Sequence, residues 1–122
     1  MQFTISGSIY EQIVDYVHRQ ILRGVWSEDA RLPSVRELAV ELEVNPNTVQ
    51  RAYTLLQDRE LIRNQRGVGY FVAGGAADRA QAQRRTYFER DEVPRLAEEL
   101  ELLRMQFAEL ETMIRRYQEK NR

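Results

Sequence analysis

The sequence predicts a mainly α-helical protein with one small β-hairpin, and three observations support this fold class. Apolar residues recur at helical spacing over residues 8–24, 34–43 and 45–58. Two short strand-like segments follow and flank a turn that contains glycine. From residue 93 onward, apolar residues recur with heptad spacing, which predicts a further helix.

Composition excludes several classes of protein. The 18 basic and 19 acidic residues give a net charge of −1, so a nucleic-acid surface has to be a local patch. The chain has no cysteine and one histidine, His18, which argues against metal sites and against a catalytic triad. We therefore expect no enzymatic activity and no metal or other cofactor. Since no apolar run is long enough to cross a membrane and no signal peptide is visible, we expect a cytoplasmic protein.

Each of the first three predicted helices begins at a recognisable cap. Ser8 and Ser34 are each followed three residues later by glutamate, which is the capping-box pattern. Asn45 suits the N-cap of the third helix, and Pro46 suits its first position. The second and third helices are short and closely joined, which is typical of a helix-turn-helix.

The two strand-like segments are Leu61–Asn64 and Tyr70–Ala73, separated by Gln-Arg-Gly-Val-Gly. A helix-turn-helix followed by such a hairpin is the layout of a winged helix. The pair Gly74-Gly75 then marks a boundary, so we predict a winged helix-turn-helix DNA-binding domain at 6–75 and a helical dimerisation domain at 76–122.

The predicted C-terminal domain contains an apolar stripe that needs a partner. Its spacing predicts one unbroken helix from Pro94 to about Gln118. Residues 76–90 are too short and too polar to cover the stripe, so we expect two chains to pair through it. The dimerisation residues are Val93, Leu96, Leu100, Leu103, Phe107, Leu110, Ile114 and Tyr117.

The third helix carries the most informative polar residues. Asn47, Gln50, Arg51 and Thr54 share the face opposite its apolar stripe. Amide, guanidinium and hydroxyl groups are the ones that read base edges in DNA. A solvated polar face is the alternative interpretation, but the glutamate and lysine that usually form such a face are absent from this stretch.

Three segments resemble the GntR family of bacterial transcription regulators: Leu-Pro-Ser-Val-Arg-Glu-Leu-Ala at 32–39, Val-Asn-Pro-Asn-Thr-Val at 44–49, and Gly-Val-Gly-Tyr-Phe-Val at 67–72. The Asn-Pro-Asn-Thr variant and the short helical tail resemble the YtrA subfamily. The resemblance implies DNA contacts from Ser34, Arg36, Asn45, Asn47, Thr48, Gln50, Arg51, Arg66 and Gly67.

The residues themselves are compatible with those contacts. Ser34 begins a helix, and a helix N-terminus is a natural phosphate site. Gly67 allows close approach to the minor groove, and Arg66 can follow its negative potential. The sequence departs from the family at two positions: Pro46 stands where many members have arginine, and Glu60 stands where glycine is usual. If Glu60 is left-handed, a non-glycine residue there costs about 1 kcal/mol.

The leading hypothesis is a homodimeric repressor that binds a pseudo-palindromic operator in double-stranded DNA. By resemblance, such regulators often control a small transport operon. The alternative is a winged-helix adaptor that binds a protein partner and has no specific affinity for DNA. The sequence identifies neither the operator, nor the regulated genes, nor an inducing ligand.

Overall fold

The structure is a computed structural model, and it describes residues 7–122. Residue 6, where the predicted first domain starts, lies outside the described residues. The chain forms two compact units, one up to Gln83 and the other from Arg84. The first turns of the fourth helix therefore belong to the first unit.

The first unit contains three helices that begin where the caps predict. They are α1 (Ile9–Leu22), α2 (Val35–Leu42) and α3 (Pro46–Asp58). The Ser34 Oγ accepts a bond of 3.1 Å from the backbone N–H of Glu37, whose carboxylate accepts one of 3.0 Å from the backbone N–H of Ser34. The Oδ1 of Asn45 accepts from the backbone N–H of Asn47 at 2.8 Å. These contacts confirm the predicted helix-turn-helix.

The predicted hairpin is present and has a third, short partner. Strands β1 (Ile62–Gln65) and β2 (Gly69–Val72) pair antiparallel. Arg31 forms a β-bridge with Phe71, and the backbone N–H of Leu32 donates to the carbonyl of Tyr70 at 2.9 Å. The segment that joins α1 to α2 thus extends the wing, which the sequence analysis did not predict.

The core of the first unit lies between the three helices and the hairpin. Its largest side chain is Tyr53, whose hydroxyl donates a bond of 2.7 Å to the carbonyl of Pro33. Burial raises the pKa of Tyr53 well above its usual range, so this hydroxyl keeps its proton. The other large, fully buried side chains are Ile13, Leu38, Leu56, Leu61, Ile62, Val17, Val49 and Val72.

Helix α4 (Ala76–Tyr87) is fastened to the end of α3 through its first turns. Ala76 and Ala80 are buried. The Arg79 guanidinium donates two bonds, of 2.9 and 2.7 Å, to the backbone carbonyl of Glu60. Gln83 donates to the carbonyl of Arg59 at 3.2 Å.

The second unit corrects the prediction of one unbroken C-terminal helix. A π-helical turn (Phe88–Glu92) leads into α5 (Val93–Leu103), and a separate α6 (Phe107–Lys120) follows. Arg104 is left-handed with φ 54°, and the N–H groups of Arg104 and Met105 bond back to carbonyls in the last turn of α5. The heptad spacing continues through this interruption, so it correctly marks apolar faces but not the helix end.

No residue of α5 or α6 is buried. Across residues 7–122, no helix is both long enough and apolar enough to span a membrane.

Candidate nucleic-acid interface

Helix α3 separates a buried face from an exposed polar one. Val49, Ala52, Tyr53 and Leu56 are buried in the core. On the other face, Asn47, Gln50, Arg51 and Thr54 are exposed, and Thr48 is half-buried beside them. The helical spacing of apolar and polar residues predicted this division.

Two neighbouring side chains of the exposed face turn in different directions. Gln50 reaches the wing, where its Nε2 donates a bond of 3.1 Å to the Tyr70 hydroxyl. Arg51 reaches α1, where its guanidinium carbon lies 4.5 Å from the centre of the Tyr10 ring. Such a cation–π contact holds the guanidinium without neutralising its charge. Asn47 lies between these two side chains on the helix face.

The C-terminal end of this face is less suited to DNA. The Thr54 hydroxyl donates to the carbonyl of Gln50 at 3.0 Å, so its proton is used within the helix. Asp58 is exposed one turn further along, and its carboxylate repels phosphate. Charge therefore favours an approach that brings the N-terminal half of α3 to the duplex.

The start of α2 offers a helix N-terminus and a cation. The Ser34 backbone N–H and hydroxyl bond with Glu37, and these bonds lower the pKa of Glu37. The Ser34 side chain is thus already used as a cap, as is the Oδ1 of Asn45 at the start of α3. Arg36 is exposed in the first turn of α2 and presents a charge beside these caps.

The tip of the wing is exposed and closely turned. Arg66 and Gly67 are both exposed, and the turn is closed by a bond of 2.9 Å from the Val68 N–H to the Gln65 carbonyl. Gly67 has φ 78°, and no atom lies within 4 Å of the position that its Cβ would take. The glycine is therefore needed for its backbone conformation, and the space around it is open to a ligand.

Arg31 and Arg63 add positive charge to the wing, and sequence reasoning missed both. The Arg31 guanidinium lies against Gly69, with its Nε 3.0 Å from where a Cβ would stand. Arg63 lies over the Phe71 ring at 4.8 Å and pairs with Asp29 at 3.5 Å. The contacts of Arg31 with Gly69 and of Arg63 with Asp29 join segments distant in sequence, so local spacing carries no signal for them. Arg63 and Phe71 are paired directly across the hairpin.

The described residues hold no group of three or more His, Cys, Asp or Glu side chains placed to bind a metal ion. The exposed groups of the interface instead supply hydrogen bonds and positive charge.

Comparison with known proteins identifies the fold. The sequence model of the bacterial regulatory proteins of the gntR family matches residues 9–72. The chain belongs to this family. Its winged helix-turn-helix is a DNA-binding fold, and its relatives and fold are those of transcription regulators rather than of enzymes.

Two relatives come from Bacillus subtilis. The HTH-type transcriptional regulator YhcF is 40% identical over 72 residues, which are 59% of this chain and 60% of that protein. The HTH-type transcriptional repressor YtrA is 41% identical over 71 residues, which are 58% of this chain and 55% of that protein. The matched region thus spans little more than half of these curated relatives.

Solved GntR-family structures match more of the chain. A structure from Bacteroides thetaiotaomicron is 39% identical and covers 94% of this chain and 100% of that one, with a TM-score of 0.71. A regulator from Listeria monocytogenes is 33% identical and covers 93% of this chain and 98% of its own, with a TM-score of 0.74. These likenesses include the helical second unit.

One departure from the GntR pattern has a direct structural consequence. Glu60 follows α3 with φ 61°, so the left-handed conformation expected at this position is present without glycine. Two hydrogen bonds from the Arg79 side chain, on α4, to the Glu60 carbonyl stabilise this turn. Pro46 occupies the first position of α3 and offers no side-chain donor to DNA.

Proposed function

We propose that this GntR-family regulator is a homodimeric repressor that binds a pseudo-palindromic operator in double-stranded DNA. The observation that carries the proposal is the exposed face of α3, where Asn47, Gln50 and Arg51 stand opposite the core and beside the wing. In helix-turn-helix proteins the second helix of the motif, which is α3 in this chain, enters the major groove with its N-terminal residues on base edges.

Each element has a distinct task in this proposal. Asn47, Gln50 and Arg51 read base edges, with Thr48 and Asn45 at the same end of α3 against the sugar-phosphate backbone. Arg36 and the N-terminus of α2 at Ser34 hold phosphate. At the wing, Arg66 and the open backbone of Gly67 approach the minor groove.

The apolar stripes of the second unit support pairing of two chains. Leu103, Phe107 and Tyr117 are 57%, 72% and 69% exposed, and burying such side chains stabilises a complex by about 25 cal/mol per Å². The stripe is divided between two helices, so in this proposal α5 supplies four residues of the seam and α6 supplies the other four. The α5 stripe is Val93, Leu96, Leu100 and Leu103, and the α6 stripe is Phe107, Leu110, Ile114 and Tyr117.

Repression by blocking a promoter needs only occupancy of the operator. The relative YtrA is named a transcriptional repressor, which supports this direction of control. Control of a small operon, often one for transport, follows from the family resemblance alone and is part of the proposal.

Selection from a library of random duplex DNA tests the proposal. We expect enrichment of a two-fold symmetric site whose half-sites lie about 10 base pairs apart, centre to centre. Asn47→Ala should relax the preference at one base position of each half-site, whereas Gln81→Ala, which removes an exposed amide from α4, should leave the enriched sequence unchanged. Failure of the unaltered protein to enrich any sequence, with no salt-dependent affinity for duplex DNA, would refute the proposal and favour the adaptor.

A further inference from the structure

The wing holds the amide group of Gln50. This residue is exposed on α3, and its Nε2 donates a hydrogen bond of 3.1 Å to the hydroxyl of Tyr70 on β2, 20 residues away in sequence. The bond therefore connects the helix proposed to read DNA with a strand of the wing.

Tyr70 itself is firmly placed. Its carbonyl accepts a bond of 2.9 Å from the N–H of Leu32, so its backbone is paired with the segment that joins α1 to α2. Its ring meets Tyr53 edge-on, with 4.9 Å between ring centres and an angle of 71°. Because Tyr53 is fully buried and bonded to Pro33, the Tyr70 hydroxyl is a fixed acceptor rather than a mobile surface group.

A bond to one N–H determines what the rest of the amide presents. A glutamine amide has two N–H donors and one carbonyl acceptor. With one N–H held by Tyr70, Gln50 keeps its second N–H and its Oε1 for a ligand. These are the two groups with which glutamine binds adenine, where Oε1 accepts from N6 and the N–H donates to N7.

We infer that Tyr70 fixes the amide of Gln50 so that Gln50 selects adenine at one position of each half-site. Tyr70 is a positioning residue in this arrangement, and Gln50 makes the base contact. The inference rests on the proposed function, because it assigns a base preference to the same DNA-reading face.

Tyr70→Phe tests the inference, because it removes the hydroxyl and keeps the ring against Tyr53. The experiment selects binding sites from random duplex DNA with the full chain, its Gln50→Ala variant, Tyr70→Phe and Tyr16→Phe. Tyr16→Phe is the matched control, since it removes a tyrosine hydroxyl from α1, at a ring that packs edge-on against Trp26. Thermal unfolding of each variant verifies that it is folded.

We expect the unaltered chain to prefer adenine at one position by about tenfold or more, and Gln50→Ala to lose this preference. Tyr70→Phe should reduce it to about threefold or less at that position alone, because the released amide can turn over. Tyr16→Phe should retain it.

Three results would overturn the inference while leaving the proposed function intact. They are a Tyr70→Phe profile identical to that of the unaltered chain, a uniform loss of affinity without a change in preference, and a preference for guanine, thymine or cytosine at the position that depends on Gln50. Absence of any enriched sequence with the unaltered chain would instead refute the proposed function, and the inference with it.

Discussion

Replacing Glu60 by glycine should stabilise the winged domain. Glu60 is left-handed with φ 61°, a conformation that costs an ordinary L-residue about 1–2 kcal/mol. Glycine adopts it freely but loses about 0.5–1 kcal/mol more conformational entropy on folding. The bonds from Arg79 are made to the Glu60 backbone carbonyl, so the substitution keeps them. The net expectation is a gain of about 0.5–1 kcal/mol.

The gain is measurable by thermal unfolding. For a domain of this size, it corresponds to a rise in Tm of about 2–8 °C. Variant and unaltered chain should be compared at equal concentration, because the proposed dimerisation would make Tm depend on concentration. Glu41→Gly is the matched control: it makes the same change at an exposed position within α2 and should lower stability by up to about 1 kcal/mol. An unchanged or lower Tm for Glu60→Gly would refute the assignment of strain to this turn.

Three further predictions concern dimerisation, DNA reading and pH. Leu103→Glu should place a charge in the apolar stripe of α5, so that the chain sediments as a monomer and binds the operator more weakly. A variant that remains a stable dimer would contradict the proposed seam. Arg51→Ala should relax the preference at one base position per half-site, whereas Arg36→Ala should weaken binding to all sequences alike and lower the slope of affinity against salt by about one. Both are measured in binding series at several salt concentrations. The reverse pattern would exchange the roles of the two residues. Glu37 has a lowered pKa, so its contribution to stability is present at neutral pH and is lost as pH falls through and below the ordinary carboxyl range. Glu37→Gln should therefore flatten the acid side of the stability curve measured by urea unfolding, and an unchanged curve would show that this carboxylate is not coupled to folding.

Helix ends show what the sequence determines locally and what it does not. Gly24 ends α1 with φ 75°, and its position was predictable because glycine favours this conformation. Glu43, Glu60 and Arg104 end three other helices in the same left-handed conformation, each with bonds back into the last turn. None of them is glycine. Family resemblance indicated Glu60, but no local pattern indicated Arg104, so the division between α5 and α6 was missed.

The site shows the same division between local and distant determinants. Caps at Ser34 and Asn45 follow from residues three or fewer positions away, and the structure contains both. The contact between Arg51 and Tyr10 joins residues of α1 and α3, and that between Arg31 and Gly69 joins a loop to the wing. Such contacts depend on how the helices and the hairpin pack, and helical or strand periodicity does not contain that information.

The position of Arg51 over Tyr10 is compatible with a role in reading DNA. A cation–π contact at an exposed site contributes about 0.5–1 kcal/mol, whereas a bidentate contact with guanine discriminates by about 1–3 kcal/mol. Contact with guanine is therefore the stronger of the two, and Arg51 should leave the ring when a guanine is within reach. At a site without guanine the side chain keeps its contact with Tyr10, so the ring contact is lost only where Arg51 binds guanine. The net preference for guanine is therefore the energy of the bidentate contact less that of the ring contact.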